Sequence, residues 1–206
     1  LLLDVPVARA VATERLGADA LALLEHVGLV AAAGPEHVDW TAGVVPHEHI
    51  LIASDRFAGG HADHVAAVHR PSATLAHLTI RQPVARALDV GTGNGIQALL
   101  AASHAERVVA TDINERALEF AAFNAALNGI VNIELRSGSF FEPVVGEEFE
   151  LLVANPPYVI SPESSFLFRD GGMPRDLLSE QVVRAAPAHV AEAGFATVMV
   201  SWVHEQ

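Results

Sequence analysis

From about residue 84 to the end of this 206-residue chain, short apolar runs alternate with stretches of helical periodicity. No other feature constrains the fold as strongly, because strands separated by helix-length crossovers pair in parallel and are covered on both faces. The pattern predicts strand one at about 86–90, a glycine loop, and a helix over about 95–104. Strand two follows at 107–111. A helix then begins near Asn114, with apolar positions at Ala117, Phe120, Ala121 and Leu127, and ends at Asn128-Gly129, a C-cap signal. Strand three is expected at 131–136, strand four at 149–154, a helix at about 176–190, and strand five from Phe195 to about Trp202. Such sheets usually continue past a fifth strand, so further strands are expected outside this sequence.

The first 80 residues read differently. Helices are expected around 7–16 and from Ala18 to Val30, followed by strand-like pieces from Val38 to Ala53 that Gly43, Pro46 and His47 interrupt. Two short helices followed by strands suit a small α+β accessory domain, winged-helix-like, over residues 1–58. Residues 59–83 read as a linker and lead-in, with Gly59 to His64 as the hinge, and 84–206 as a Rossmann-like α/β domain with helices on both sheet faces.

The chain is 51% hydrophobic, which supports a substantial core, yet its apolar runs are too short to span a bilayer. It shows no secretory signal pattern. Without cysteine it has no disulfide, thiolate metal ligand or cysteine nucleophile, and it reads as a cytoplasmic enzyme. It begins with Leu, so leading residues are expected to be missing. Net charge is −13 and all twelve basic residues are arginine. Six arginines face nine acids before Ala87, and six face sixteen after it. Tight polyanion binding leans on clustered basic residues, and no such run occurs.

Two loops carry chemistry. Gly91-Thr92-Gly93-Asn94-Gly95 follows strand one, where glycines let the backbone turn tightly and approach a ligand closely. The following helix is expected to aim its first N–H groups at that ligand. Asp112, with Ile113 beside it, ends strand two, where a carboxylate can accept two ribose hydroxyls. Asp89 precedes the glycines and is expected to engage the ligand's amino-acid end. Gly138-Ser139-Phe140-Phe141 follows strand three and should reach an adenine, with Phe140 stacking on the ring and Ser139 contacting its amino group. The Gly-x-Gly-x-Gly spacing differs from the Gly-x-Gly-x-x-Gly of dinucleotide binding and favours S-adenosylmethionine.

The second loop, Asn155-Pro156-Pro157-Tyr158, follows strand four. The Asn155 side-chain carbonyl and the Pro156 main-chain carbonyl are two acceptors that can converge on one planar NH2 group. Pro156 and Pro157 stiffen the loop, and Tyr158 can stack on the planar group. In ordered combination the loops predict methyl transfer to nitrogen, by positioning more than by acid–base chemistry. His47, His49, His61, His64 and His69 match no metal-ligand spacing and read as solvated loop residues. Glu147-Glu148-Glu150 reads as an exposed acidic turn, and Phe195 and Trp202 as core.

These residues, with Thr111-Asp112 and Ser139-Phe140-Phe141, resemble the class I methyltransferases of the small-domain type. Within these they are most similar to protein N5-glutamine methyltransferases that modify peptide release factors. The likeness covers about residues 84–206. Arg70-Pro71-Ser72-Ala73-Thr74 is similar to that family's Arg-Pro-Asp-Thr lead-in, which lies over the cofactor, and Asp170-Gly171-Gly172 matches the stretch after the acceptor loop. The resemblance implies that the glycine loop, Asp112, Phe140 and Asn155 contact S-adenosylmethionine and that residues 155–158 hold the acceptor. That acceptor would be a protein glutamine, with a translation factor as the expected partner and no metal or membrane involved. Ser139 stands where the family has an acid, and residues 1–80 do not resemble the family's helical substrate-recognition domain. Methyltransferases acting on adenine N6 or guanine N2 in RNA or DNA share the four-residue loop, so a nucleic-acid acceptor is the alternative. A non-catalytic cofactor-binding module is a further one.

Overall fold

The computed structural model describes residues 5–26, 29–56, 63–156 and 177–202. Its centre is a sheet of β6 (Val84–Val90), β7 (Ala105–Asp112), β8 (Ile133–Ser137), β9 (Phe149–Ala154) and β10 (Val190–Val198). Their spatial order is β10-β9-β6-β7-β8, and every neighbouring pair is parallel. Successive strand residues point to opposite faces, so each apolar run feeds two cores at once. Leu88, Val90, Val109, Leu152 and Ala154 pack on the side of α6 (Leu177–Ala185). Ala87, Val108, Ala110, Leu151 and Val153 pack on the opposite side, against α3 (Arg70–Leu78) and α4 (Ile96–Ala101). This two-faced burial is why the runs are continuously apolar rather than alternating.

The predicted strands one to four are present, each displaced by two residues or fewer at its ends. Strand five differs: β10 begins at Val190, with a register shift between Val190 and Phe195, and ends at Val198. Trp202 is consequently past the strand and 67% exposed instead of core. The helix expected over 176–190 ends at Ala185, where Pro187 follows, and gives way to a 3-10 turn over Ala186–His189. In α5 (Glu115–Leu127) the inward face is Ala117, Leu118, Ala121 and Asn124, and Leu127 is exposed. The acidic turn is not free in solution. Glu147 pairs with Arg86 and Arg136, and Glu150 accepts the Arg86 N–H at 2.8 Å.

Before the main sheet, β1 (Val7–Ala8), α1 (Arg9–Leu16), α2 (Ala18–His26), β2 (Val30–Ala32) and β3 (His37–Trp40) form a small unit. Its sheet is antiparallel in the order β1-β3-β2, around Ala12, Leu21, Val30 and Val38. Next come β4 (Ala42–His47) and β5 (Ile50–Asp55), an antiparallel hairpin closed by Glu48 and His49. Gly43, Pro46 and His47 do not interrupt β4 as the sequence suggested. A two-residue turn makes His47 and Ile50 the hydrogen-bonded closing pair, so Pro46, one position on, needs no N–H toward its partner.

The outer edge of β5 is covered by side chains of α5. Asn124 accepts the Ala53 N–H at 2.7 Å and donates to Ala53 O at 2.9 Å, and also donates to Asn94 O at 2.8 Å. One turn on, Asn128 repeats the pairing with Leu51, at 2.9 and 2.8 Å. Residues i and i+4 of a helix and i and i+2 of a strand are both spaced by about 6 Å, so two asparagines can act as one strand of a ladder. Ile50 and Ile52 share a core with Ile96, Leu99 and Leu100 of the main domain.

Beneath the turn from β6 to α4, Asp89 is 2% exposed. Its Oδ2 accepts from Thr92 Oγ1 at 2.6 Å and from the Ala98 N–H at 3.1 Å, while Oδ1 is buried with no partner. Burial pushes its pKa up to about 7, with the nearby Asp112 adding to the rise.

Two outcomes follow for stability. Asn124→Ala leaves the Ala53 N–H and the Ala53 and Asn94 carbonyls without this partner; in urea titration it should cost about 3 kcal/mol, against about 1 kcal/mol for Asn128→Ala, whose bonds to Leu51 are exposed. Asp89 has a folded-state pKa above its unfolded value, so its contribution is full below about pH 4 and is lost as pH rises through about 7. Wild type should therefore lose about 2–3 kcal/mol relative to Asp89→Asn between pH 5 and pH 8; parallel pH profiles for the two proteins would contradict this.

Candidate functional site

Val90 of β6 pairs in register with Ala154 of β9, so Gly91 and Asn155 leave the sheet side by side. β7 lies on the other side of β6, which makes this the point where strand order reverses and where ligands bind in open parallel sheets. A cavity of about 310 Å3 opens there, and both loops line it.

The glycine loop is pinned across to β7. The Gly91 and Thr92 N–H groups both donate to Thr111 O at 2.9 Å, and the Gly93 N–H donates to Asp112 Oδ2 at 2.8 Å. Gly93 has φ +56 and Gly95 φ +87, the left-handed region that favours glycine. At Gly95 a Cβ would also press against Ala121 at 3.1 Å. Gly91, Thr92, Gly93 and Asn94 line the cavity, whereas Gly95 and Asp89 lie beneath the loop and hold its shape. Two of the first three N–H groups of α4 are taken up by side chains of the loop and strand rather than offered to the cavity. Asn94 Oδ1 takes that of Ile96 at 3.2 Å, and Asp89 Oδ2 takes that of Ala98.

Asp112 stands at the end of β7 with both oxygens partly engaged. Oδ2 accepts from Gly93 and Oδ1 from the Asn114 N–H at 2.9 Å. A carboxylate has about four acceptor positions, so beside the backbone donors of Gly93, Ile113 and Asn114 there is still room for a ligand hydroxyl. Burial raises its pKa, and the backbone donors oppose the rise. Ile113 is exposed and forms an apolar wall.

Across the cavity, Phe140 takes φ +45, and its carbonyl accepts from Thr111 Oγ1 at 3.1 Å. The two phenylalanines divide their roles: Phe140 lines the cavity beside Ser139, and Phe141 is buried, stacked on His189 at 4.7 Å. The Ser139 N–H donates to Glu142 Oε2 at 3.2 Å, which puts an acid beside Ser139 that sequence reading did not anticipate.

Residues 63–67 and the start of α3 form a second wall, and most of it was not legible in advance. Val65 exchanges two hydrogen bonds with Asp55 at the end of β5. Ala66 O accepts from Asn94 Nδ2, and Asp63 O from Asn114 Nδ2, both at 2.9 Å. His64 is therefore not solvated but buried in the cavity wall, whereas His69 lines the cavity and stays exposed as the sequence suggested, with partial burial lowering its pKa. His69 caps α3 through Nδ1, and Gln97 Nε2 donates to Ser72 O at 2.8 Å. The only signal for this wall was the Arg70–Thr74 lead-in. His61 lies outside the described residues, and among those described no group of three His, Cys, Asp or Glu could hold a metal.

Asn155 completes the cavity. Its Nδ2 donates to Ser72 Oγ at 3.3 Å, and its Oδ1 is buried with no partner in the structure. Pro156 is buried behind it, and Pro157, Tyr158, Arg169 and the Asp170-Gly171-Gly172 stretch lie outside the described residues. The cavity thus offers an acid for hydroxyls, apolar walls at Ile113 and Phe140, and a free amide carbonyl opposite the glycine loop. These features fit S-adenosylmethionine.

The methyltransferase small domain family matches residues 66–201. A release factor glutamine methyltransferase of Xylella fastidiosa (strain Temecula1) is 33% identical over 132 residues, covering 57% of this chain and 47% of that protein. One from Aliivibrio fischeri is 42% identical over 124 residues, covering 57% and 38%. A ribosomal protein uL3 glutamine methyltransferase of Bradyrhizobium diazoefficiens is 32% identical over 164 residues, covering 73% and 48%. The chain spans less than half the length of these relatives. Among solved structures, Trm5b from Pyrococcus abyssi superposes with a TM-score of 0.53 at 16% identity, over 81% of this chain and 46% of that one, a likeness of fold alone. The matched span takes in the glycine loop, Asp112, Phe140 and Asn155, and the chain belongs to the methyltransferase small domain family.

Proposed function

We propose that this domain binds S-adenosylmethionine in the cavity beside the glycine loop and methylates the side-chain amide nitrogen of a glutamine in a protein. The observation that carries this reading is the Asn155 carbonyl, a buried acceptor with no partner, on the strand neighbouring the glycine loop. A buried unsatisfied polar group costs about 1–3 kcal/mol, and an entering NH2 group relieves that cost. Asn155 Oδ1 takes one N–H, and the Pro156 carbonyl on the same stiff loop is the second acceptor. Together they hold the planar nitrogen in one orientation. Ile113, Phe140 and Leu178 line the cavity with apolar surface that keeps water from competing. The cofactor, when bound, supplies an electrophilic methyl on its sulfonium. Positioning carries the reaction, and no general base is required, because the nitrogen can lose its proton after transfer.

The distribution of charge favours a protein over a nucleic acid. Among the described residues every arginine except Arg15 and Arg70 is in an ion pair with an acid. Among the described residues of the accessory region Arg9 pairs with Glu25 and Arg56 with Asp39, which leaves Arg15 alone rather than a cluster of arginines for a phosphate backbone. The relatives' names point to translation proteins as the substrate class, and hence to the cytoplasm. Residues 1–58 would form the accessory domain and 59–83 the lead-in. No described helix is long and apolar enough to cross a membrane.

Incubation with methyl-labelled cofactor, cell protein and cell RNA separates the acceptors. Label should appear on protein, at a glutamine amide; label on RNA alone would reject this reading. Asn155→Ala should reduce transfer by about 100-fold while cofactor affinity by calorimetry changes by less than about 3-fold. Full activity in that variant would place the acceptor elsewhere.

A further inference from the structure

The orientation of the Asn155 amide is dictated by a chain of hydrogen bonds whose polarity can be read from one end. A backbone N–H can only donate. The Ser72 N–H faces His69 Nδ1 at 3.4 Å, so Nδ1 is the acceptor and the proton of the neutral ring resides on Nε2. The Ser72 hydroxyl lies 3.1 Å from the same Nδ1 and must donate to it. Its remaining lone pairs can then only accept, and Asn155 Nδ2 lies 3.3 Å away. The amide must therefore turn its NH2 toward Ser72 and leave Oδ1 facing away, where it is buried with no partner. Gln97 fixes the Ser72 main chain by donating to its carbonyl, and Ser72 is 6% exposed, so the hydroxyl has little freedom to find water instead.

We propose that Ser72, held in polarity by His69, is the positioning residue that presents the Asn155 carbonyl to the acceptor amine. This rests on the methyl-transfer reading above. Without the hydroxyl, the amide has no reason to prefer one orientation. A flipped Asn155 would present an NH2 group to the acceptor NH2, two donors facing each other. Burial holds the His69 pKa below its ordinary value, which keeps the ring in the neutral form that the chain of bonds needs. Ser72 need not touch the methyl acceptor, because its effect passes through Asn155.

The test compares Ser72→Ala, Ser72→Thr and wild type in the full chain, with two readouts. Turnover at saturating cofactor and protein substrate should fall about 10-fold in Ser72→Ala and return to within about 2-fold of wild type in Ser72→Thr, which restores a hydroxyl. Cofactor affinity and thermal unfolding should be nearly unchanged in both. Independently, the Asn155 side-chain amide signals, identified in a nitrogen–proton spectrum as the pair missing from Asn155→Asp, should shift in Ser72→Ala and stay near wild type in Ser72→Thr. Unchanged turnover in Ser72→Ala, a Thr variant as slow as the Ala variant, or amide signals that do not move would each overturn the proposal. If wild type transfers methyl to no amide, the functional reading fails, and the amide signals alone then decide whether Ser72 orients Asn155.

Discussion

The register between β6 and β9 is the constraint on which everything else depends. Parallel pairing of Val90 with Ala154 brings together two chain bends that are sixty-four residues apart, at the sheet edge where strand order reverses. A slip of one residue would turn Asn155 to the opposite face and move Leu152 and Ala154 out of the core they share with Leu88 and Val90. The apolar packing that stabilises the sheet therefore also fixes the distance between the glycine loop and the Asn155 carbonyl. Precision at the site follows from burial far larger than any contact within it.

Around that register, buried polar side chains do the finer placement. Asp89 supports the glycine loop from below, Asp112 holds it from the side, and Asn124 ties it to β5. Asn94 and Asn114 hold residues 63–67 against the opening. Each of these groups would be costly alone in the interior, and each is compensated by backbone donors or acceptors. Of the four buried side-chain atoms without a partner among the described residues, two lie at this site, Asp89 Oδ1 and Asn155 Oδ1. The first belongs to a carboxyl that burial drives toward its neutral form; the second is the group we assign to the acceptor amine. The hairpin of β4 and β5 shares a core with α4, so the same packing joins the region before residue 58 to the cofactor wall.

Much of this was legible in the sequence because its signals are local. Period, glycine spacing and the terminal residue of each strand are properties of a few neighbours, and they located β6, β7 and β9 with Asp112 and Asn155 at the strand ends. The second wall was not legible, because Asp63, Ala66 and Ser72 are held at the cavity by bonds to Asn114, Asn94, Gln97 and Asn155, all distant in the chain. Nothing in the neighbours of His64 and Val65 marks these two as buried. Asn124 was equally hidden: an asparagine inside a helix normally signals a weak position, and only the β5 edge explains it. Pro46 misled in the opposite sense, since its missing N–H is harmless where the strand asks for none. Trp202 looked like core by size alone, and β10 ends before it.

The two bends line one cavity and, in the reading proposed here, form one binding site. A crystal structure with S-adenosylhomocysteine tests it most directly. The ligand should lie in the cavity with its ribose against Asp112, its adenine beside Phe140 and its sulfur turned toward Asn155. A ligand bound elsewhere on the molecule, or in the cavity with its sulfur turned away from Asn155, would contradict it.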